Sequence, residues 1–177
     1  MPQFGLDYGF YSDDLKREEK RKPGCVVVAI MKEKKTTARY AHVVTTKGGE
    51  DGYAAKSLAE DIDEMGCKRV ILKTDQERAV EALAARVAEH RKGETIPGVS
   101  PKGSPASNGL AECGVKEISG HARTIKLALE SVLQCKIPID HNIILWIFEA
   151  ASQQLNRYQV NARGRTAYEE IKGNHLT

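Results

Sequence analysis

The sequence contains no hydrophobic run that could span a lipid bilayer. Its longest apolar runs, residues 25–31 and 143–148, are far shorter than the roughly 20 residues that a transmembrane helix needs. The N-terminus also lacks the basic and then apolar pattern of a secretory signal. These absences predict an intracellular protein that has no membrane partner.

Cysteine is scarce and histidine is dispersed. The cysteines are Cys25, Cys67, Cys113 and Cys135. They form no C-x-x-C pair, which argues against a zinc motif or a disulfide framework and predicts reduced, mostly buried thiols. The five histidines are isolated as well, so spacing alone assembles no Cys/His metal cluster.

Charge of one sign does not dominate the chain. The net charge of +3 is too small to establish a nucleic-acid partner, but residues 11–40 carry nine basic side chains against five acidic ones. The basic ones are Lys16, Arg17, Lys20, Arg21, Lys22, Lys32, Lys34, Lys35 and Arg39. Such a segment could follow phosphates. Taken alone, it is explained better as a solvated charged turn.

The first quarter of the chain has the pattern of an antiparallel meander. Its length of 177 residues and its 41% hydrophobic content predict one globular domain, or one with a small appendage. Strands are predicted at residues 2–11, 25–31 and 38–45, with charged turns between them.

After the meander, the spacing of the apolar residues changes to a pattern that is typical of alternating helices and strands. We expect a helix that ends at Gly66, a strand over residues 69–74, and a second helix that begins with a Thr74-x-x-Glu77 capping box and ends near residue 90. A short strand over residues 95–99 and a flexible loop over residues 100–108 should follow. A long helix from about residue 108 and a last helix over residues 140–158 complete an α/β arrangement. We expect a mixed five-stranded sheet flanked by helices, in which three antiparallel strands are followed by parallel additions.

Three carboxylates stand at positions that suit one metal site. Asp7 lies in an apolar first strand, Asp75 follows the short apolar run of the fourth, and Glu112 opens the long helix. Transfer of a phosphodiester uses divalent cations, and Mg²⁺ prefers a few carboxylate oxygens on rigid elements. Each acid also has a simpler role open to it: Asp75 and Glu112 as first-turn helix acids, and Asp7 as a polar strand residue. Asp13 and Asp14 compete with Asp7, but they fall in a charged turn.

The long helix also carries a polar stripe. Lys116, Ser119 and Arg123 follow Glu112 at intervals of four, seven and eleven residues, which places them on its face of the helix. A phosphate backbone or plain solvent would suit this stripe equally well.

These residues together resemble the catalytic core of a retroelement integrase, a ribonuclease H-like enzyme of the D,D-E polynucleotidyl transferase superfamily. The segments that carry the resemblance are LDYGF around Asp7, VILKTDQE around Asp75, and SPKGSPASNGLAE ending at Glu112. Near the C-terminus, LNRYQVNARGRTAYEEIKG is similar to the segment that follows the core in copia-type retrotransposon integrases, with Asn156-Arg157 and Thr166-Ala167-Tyr168-Glu169 at the matching places.

The resemblance implies a fold, a reaction and a set of site residues. The fold would be ribonuclease H-like, with the core in residues 1–135 and a C-terminal helix and tail in residues 136–177 packing on it. Asp7, Asp75 and Glu112 would hold two Mg²⁺ or Mn²⁺ ions. The reaction would be 3′-end processing of element DNA and its strand transfer into target DNA, within a homodimer or higher oligomer in the nucleus. The residues that would contact DNA are Asn108, Gly109, Lys116, Ser119 and Arg123.

The chain also departs from the family pattern. Gln76-Glu77-Arg78 follows Asp75 where the family has small or amide residues and glycines, and Cys113 stands where copia-type elements commonly have a basic residue. Two alternatives therefore stay open. One is a domesticated or degenerate module that binds DNA or oligomerises without catalysis, and the other is a ribonuclease H-like nuclease.

Overall fold

The computed structural model describes residues 1–18, 23–44, 52–99 and 105–173. The strands are β1 (Gln3–Tyr11), β2 (Val26–Glu33), β3 (Arg39–Val44), β4 (Arg69–Thr74) and β5 (Glu94–Val99). The helices are α1 (Tyr53–Glu64), α2 (Arg78–His90), α3 (Pro105–Leu133), α4 (Ile143–Tyr158) and α5 (Ala167–Lys172).

The five strands form one mixed sheet in the order β3-β2-β1-β4-β5. β1 and β2 are antiparallel, as are β2 and β3, whereas β4 joins β1 in parallel and β5 joins β4 in parallel. The predicted mixed five-stranded sheet, with three antiparallel strands followed by parallel additions, is confirmed.

Helices cover both faces of this sheet, and the alternation of side chains along β1 separates two cores. Phe4, Leu6, Tyr8 and Phe10 of β1 belong to the cluster beneath α1 and α2. Tyr11 belongs to the cluster beneath α3 and α4. By the same alternation, Asp7 points to the α3 face of the sheet.

Gly5 allows α3 to lie against β1. A Cβ at this position would sit 2.9 Å from the backbone nitrogen of Ala111, a distance that real Cβ contacts do not reach. Ala111 is itself fully buried. The crossing therefore needs glycine in β1, and it holds Ala111, the residue before Glu112, against this central strand.

Two local predictions were wrong. α2 begins at Arg78, and within the described residues its N-terminus has no side-chain cap hydrogen bond, because Thr74 is still paired with Val99 in the sheet. The predicted loop over residues 100–108 is also too long at its C-terminal end, since α3 already begins at Pro105. The part of this loop before α3 lies outside the described residues. α5 was not predicted.

One broader expectation was wrong. The thiols are not mostly buried, because Cys113 and Cys135 are exposed and Cys25 and Cys67 are half-buried. Ile144 and Phe148 of α4 pack in one cluster with Val115 of α3, and the division into a core over residues 1–135 and a C-terminal helix and tail stays a prediction. Within the described ranges, no helix is both long enough and apolar enough to cross a membrane.

Candidate metal and nucleic-acid site

Asp7 is a buried carboxylate in the middle of β1. It is 7% exposed and is paired across the sheet with Ile30 of β2. Its Oδ1 accepts a hydrogen bond from the backbone N–H of Tyr8 at 2.7 Å, and its Oδ2 lies 3.8 Å from Nη2 of Arg17. A carboxylate in such a setting is costly without compensating charge or hydrogen bonds.

The electrostatics of Asp7 couple it to the end of β4. The pKa of this carboxyl is raised from 3.8 to about 6, by burial above all and also by the negative charges of Asp75 and Glu77, while the Tyr8 N–H and Arg17 act in the opposite direction. β1 and β4 run parallel with Gly5 beside Lys73. Continuing this register by two residues places Asp7 beside Asp75, which explains the repulsion between them.

Asp75 itself occupies the first position after β4. It is half-buried, and its Oδ1 accepts a hydrogen bond from the backbone N–H of Glu77 at 3.1 Å. This bond closes the turn that leads into α2, so Asp75 is held at the carboxyl end of a parallel strand. Such strand ends are where α/β sheets bind ligands.

Glu112 is exposed on the N-terminal part of α3. It follows Ala111, which lies against Gly5 of β1. Gly5 is two residues before Asp7 in the same strand. Among the described residues, however, no three side chains of His, Cys, Asp or Glu are gathered closely enough to hold a metal ion. The structure thus brings Asp7 and Asp75 together, and the participation of Glu112 stays a prediction.

The donor set suits a hard divalent cation. Asp7 and Asp75 offer carboxylate oxygens, the ligands that Mg²⁺ and Mn²⁺ prefer. The pKa of Asp7 is raised mainly because burial removes water from its carboxylate, and the nearby Arg17 offsets this only in part. A cation between the two acids would offset both the cost of the buried negative charge and the repulsion between the carboxylates. The residues present therefore fit such an ion.

The predicted polar stripe on α3 is not a continuous exposed surface. Lys116 is exposed, but Ser119 is buried and donates to the carbonyl oxygen of Lys116 at 3.1 Å. Arg123 is half-buried and donates from Nη2 to the carbonyl oxygen of Leu15 at 2.9 Å. The stripe therefore consists of one exposed lysine and two side chains with local hydrogen bonds, and contacts of Lys116, Ser119 and Arg123 with DNA stay predictions.

The remaining predicted DNA contacts lie at the start of α3. Gly109 is half-buried, and no described atom outside the helix lies within 4 Å of the place where its Cβ would be. Asn108 belongs to the helix, but its side chain lies outside the described residues. Contacts of these two residues with DNA stay predictions.

Part of the basic segment is used inside the protein. Lys32 and Arg39 are buried, and both bind Oε2 of Glu117, at 2.7 Å from Nζ of Lys32 and 2.6 Å from Nε of Arg39. Partial burial raises the pKa of Glu117, but the hydrogen bonds from these two cations outweigh it and lower the pKa to about 2. These two cations are therefore not available to phosphates. Lys20, Arg21 and Lys22 lie outside the described residues.

Arg17 is a residue of this site that sequence reasoning missed. It was counted only as one of nine basic residues, yet the fold brings its guanidinium to Asp7. An isolated bridge between Tyr11 and Arg17 folds the chain back onto the end of β1. Nothing in the residue order signals this return, because it depends on how the turn after β1 closes.

The C-terminal motif of the resemblance has a structural role. The Asn156 side chain accepts from the backbone N–H of Arg39 at 2.8 Å and donates to its carbonyl oxygen at 2.7 Å, which completes the hydrogen bonding of edge strand β3. Arg157 lies over the ring of Tyr168, 5.4 Å from its centroid. A capping box between Thr166 and Glu169 begins α5. The motif thus joins α4 to β3 and α5 to α4.

Comparison with known proteins finds relatives in structure only. No protein-family model matches the sequence, and no curated protein matches it. The catalytic core domain of BIV integrase is 14% identical, with a TM-score of 0.59 over 98% of this chain and 95% of that chain. The HTLV-2 integrase catalytic core domain, solved in complex with magnesium in a trimeric form, is 16% identical, with a TM-score of 0.59 over 94% and 93% of the two chains.

A third solved structure belongs to a larger assembly. A chain of the simian T-cell lymphotropic virus intasome, in complex with the PP2A regulatory subunit B56 gamma, is 15% identical, with a TM-score of 0.63. The match covers 99% of this chain and 55% of that one. At these identities the likeness concerns the fold alone, and the chain has the ribonuclease H-like fold of retroviral integrase catalytic core domains.

Proposed function

We propose that this chain is the catalytic core of an integrase-type polynucleotidyl transferase that carries out metal-dependent 3′-end processing and DNA strand transfer for a copia-type retrotransposon. The observation that carries the proposal is the buried carboxylate of Asp7, which points to the α3 face and feels the charge of Asp75 at the end of the neighbouring strand. A purely structural role would not require a buried, repelled acid at this place.

Asp7, Asp75 and Glu112 are the residues that would hold two Mg²⁺ or Mn²⁺ ions. When bound, such ions supply activation of the attacking oxygen and stabilisation of the leaving oxygen in an in-line displacement. In the first reaction, water attacks a phosphodiester near the element end and its P–O bond breaks to leave a 3′-OH. In the second, that 3′-OH attacks a phosphodiester of target DNA, forming one P–O bond as another breaks.

The protein's own residues would position the DNA around this site. Lys116 is exposed one helical turn beyond Glu112, where it can meet a backbone phosphate. Arg17 is about half-exposed beside Asp7 and can turn from that carboxylate to a phosphate when a metal neutralises the acid. Asn108 and Gly109 would approach the DNA end at the start of α3. Because these contacts are with phosphates, we expect the affinity for duplex DNA to fall steeply as salt rises.

The assembly state and location form part of the same proposal. Related catalytic core domains have been solved as dimeric and trimeric forms, and a related chain has been solved within an intasome. We infer that this chain acts as a homodimer or higher oligomer on element ends and target DNA in the nucleus.

A second candidate is a degenerate module that binds DNA or oligomerises without catalysis. Two observations favour it: Arg17 already provides a cation beside Asp7, and Glu112 is exposed without a gathered set of three ligands among the described residues. A third candidate, a ribonuclease H-like nuclease, would use the same acids for hydrolysis alone.

Metal titration separates the first candidate from the second. We would titrate Mn²⁺ into the wild type, Asp75→Asn and Glu112→Gln by calorimetry, with Asp14→Asn as the matched control because Asp14 is an exposed acid in the nearby turn. We expect binding by the wild type and the control, and at least about tenfold weaker binding by the two site variants, as for loss of a metal ligand. Absence of binding by the folded wild type would favour the degenerate module.

The products on DNA then separate the first candidate from the third. The wild type should join the 3′ end of a labelled duplex to a second duplex, whereas a nuclease would release shorter strands without joined products. Asp75→Asn should remove both activities.

A further inference from the structure

The turn after β1 holds a cation against the proposed metal ligand Asp7. Nη2 of Arg17 lies 3.8 Å from Oδ2 of Asp7, a distance that permits an ion pair but exceeds that of a hydrogen bond. The Arg17 side chain is 45% exposed, whereas that of Asp7 is 10% exposed. The carboxylate is therefore buried in place, while the guanidinium beside it has room to move into solvent.

The backbone that carries Arg17 is held in place. An isolated bridge pairs Arg17 with Tyr11, and the backbone N–H of Glu18 donates to the carbonyl oxygen of Phe10 at 2.8 Å. Leu15, in the same turn, is fully buried in the cluster beneath α3 and α4. A movement of the guanidinium is therefore a rotation of the side chain and not a displacement of the turn.

Two neighbouring cations have other partners. Nζ of Lys16 lies 3.8 Å from Oδ2 of Asp14, and both side chains are largely exposed. Arg123 of α3 donates to two backbone carbonyl oxygens of the turn. Among the residues that the structure describes, Arg17 is the only one whose cation forms an ion pair with Asp7.

Arg17 and a divalent cation would compete for the same carboxylate. Burial raises the pKa of Asp7, and the charge of Arg17 offsets this in part, so the guanidinium supplies some of the positive charge that the buried acid needs. An ion bound by Asp7 and Asp75 would supply that charge instead and would repel a guanidinium at this short distance. Metal binding would therefore displace Arg17, and the displacement weakens the affinity for the metal.

A displaced guanidinium suits a DNA phosphate. It is planar and presents paired N–H donors that match the oxygens of a phosphate. It also starts from the edge of the proposed metal site, where the reacting phosphodiester would lie. A lysine at this place would keep the charge but would lose the paired donors.

We propose that Arg17 makes metal binding and DNA binding depend on each other: it holds Asp7 in the absence of metal and contacts a DNA phosphate once an ion has replaced it. This inference rests on the proposed integrase-type function and adds a regulation of the same site. Because the coupling of two binding equilibria is reciprocal, DNA also raises the affinity for the metal. The chain would thus bind its ions most tightly on its DNA substrate.

Two simpler roles compete with this one. If Arg17 only stabilised the buried charge of Asp7, its loss would lower the stability of the protein and leave DNA binding unchanged. If Arg17 were an ordinary phosphate contact, its loss would weaken DNA binding equally with and without metal. Metal binding and DNA binding, measured separately and together, distinguish the three roles.

The first experiment measures Mn²⁺ binding by calorimetry in the absence of DNA. Arg17→Gln removes the competing charge and should bind Mn²⁺ about fivefold more tightly than the wild type, as for loss of a half-exposed ion pair. Arg17→Lys keeps the charge and should bind like the wild type. Lys16→Gln is the matched control, because Lys16 carries a charge of the same turn that is paired with Asp14 and not with Asp7. Circular dichroism establishes that each variant is folded.

The second experiment measures the affinity for a labelled duplex of arbitrary sequence by fluorescence anisotropy, at several salt concentrations, with Mn²⁺ and with a chelator. With Mn²⁺, Arg17→Gln should lose one phosphate contact, which makes the slope of log affinity against log salt shallower by about one. With the chelator, the slopes of this variant and of the wild type should agree. Any effect of Lys16→Gln should be the same in both conditions.

A third measurement tests the release of Arg17 without any metal. Asp7→Asn removes the carboxylate that holds Arg17, so with the chelator this variant should bind the duplex more tightly than the wild type, with a salt slope steeper by about one. The gain should disappear in the double variant Asp7→Asn, Arg17→Gln. Because this cycle needs no ion, it tests the release of Arg17 independently of the proposed transferase activity.

Three results would overturn the proposal: unchanged Mn²⁺ affinity in Arg17→Gln, a loss of DNA affinity that is the same with and without Mn²⁺, or a gain that persists in the double variant. If the wild type bound Mn²⁺ and Arg17→Gln bound it no more tightly, only this inference would fail. If Arg17→Gln alone bound Mn²⁺, the competition would be confirmed and the proposed activity of the wild type would be wrong. If neither protein bound Mn²⁺, both proposals would fail.

Discussion

At the scale of single residues, Asp7 lowers the stability of the protein that contains it. Its pKa is raised from 3.8 to about 6, so the folded protein holds this proton more tightly than the unfolded chain does. The stability that this carboxyl contributes is therefore fully present below about pH 4 and is lost as the pH rises to about 6. A shift of this size corresponds to about 3 kcal/mol at neutral pH.

Asp7→Asn should accordingly make the protein more stable and less active. Asparagine keeps an oxygen for the Tyr8 N–H and removes the buried charge, so we expect the free energy of unfolding at pH 7 to rise by about 1–3 kcal/mol. Urea denaturation of both proteins from pH 4 to pH 7 measures this. The difference in unfolding free energy between the variant and the wild type should grow from pH 4 to pH 6 and then level off. The variant should also fail to bind Mn²⁺. A variant that was less stable than wild type throughout would show that Asp7 is stabilising.

The sequence could single out Asp7 and Asp75 as candidate ligands, but it could not predict that Arg17 lies beside Asp7. Asp7 stands out because it interrupts an alternating apolar strand, and Asp75 because it ends one. The two acids are far apart in the sequence, but the pairing of their strands brings them close together, and the hydrophobic pattern of the strands specifies that pairing. Arg17 lies in a turn with several basic residues, and the sequence gives no reason to prefer one of them as the neighbour of Asp7. Only the way the turn folds back onto β1 brings Arg17 to that position.

At the scale of secondary-structure elements, the crossing of β1 and α3 connects the fold to the site. Gly5→Ala would place a Cβ 2.9 Å from the backbone nitrogen of Ala111. Because backbone atoms on both sides must move, we expect a loss of about 1–3 kcal/mol of stability. Since Glu112 follows Ala111, Mn²⁺ affinity should fall as well. Thermal unfolding and calorimetry measure the two effects.

Gly120→Ala is the matched control on the same helix. No described atom beyond the helix backbone lies within 4 Å of its would-be Cβ, and alanine favours a helix by up to about 1 kcal/mol over glycine. This variant should be as stable as wild type or more so, with unchanged metal binding. If Gly5→Ala behaved like Gly120→Ala, the close approach would not position Glu112.

The two Thr-x-x-Glu sequences show why local motifs predict elements only in part. Thr166 and Glu169 form a true capping box at α5, while Thr74 and Glu77 do not cap α2. Thr74 is buried and paired with Val99 in the sheet, so its backbone is committed to a strand. Tertiary pairing thus decides between two identical local patterns, and the sequence alone contains no sign of that choice.

At the scale of the whole molecule, the C-terminal segment is part of the core. Phe148 of α4 packs its ring on Tyr11 of β1 with centroids 4.8 Å apart, and Asn156 completes the edge of β3. Pro138 lies in the turn between α3 and α4, where a proline is expected because it ends helices, and the residues on both sides of it pack into one cluster.

A chain of residues 1–135 should therefore fail to fold cooperatively. It would expose the apolar surface of β2, β3 and α3 that α4 covers, at a cost of about 25 cal/mol for each Å². A typical domain has only about 5–15 kcal/mol of net stability to offset such a cost. Circular dichroism during heating and hydrogen exchange measure the loss of cooperativity. A chain of residues 1–160 keeps α4, loses α5 and should unfold cooperatively at a lower temperature. Cooperative unfolding of the 1–135 chain would instead show that the core is independent of α4.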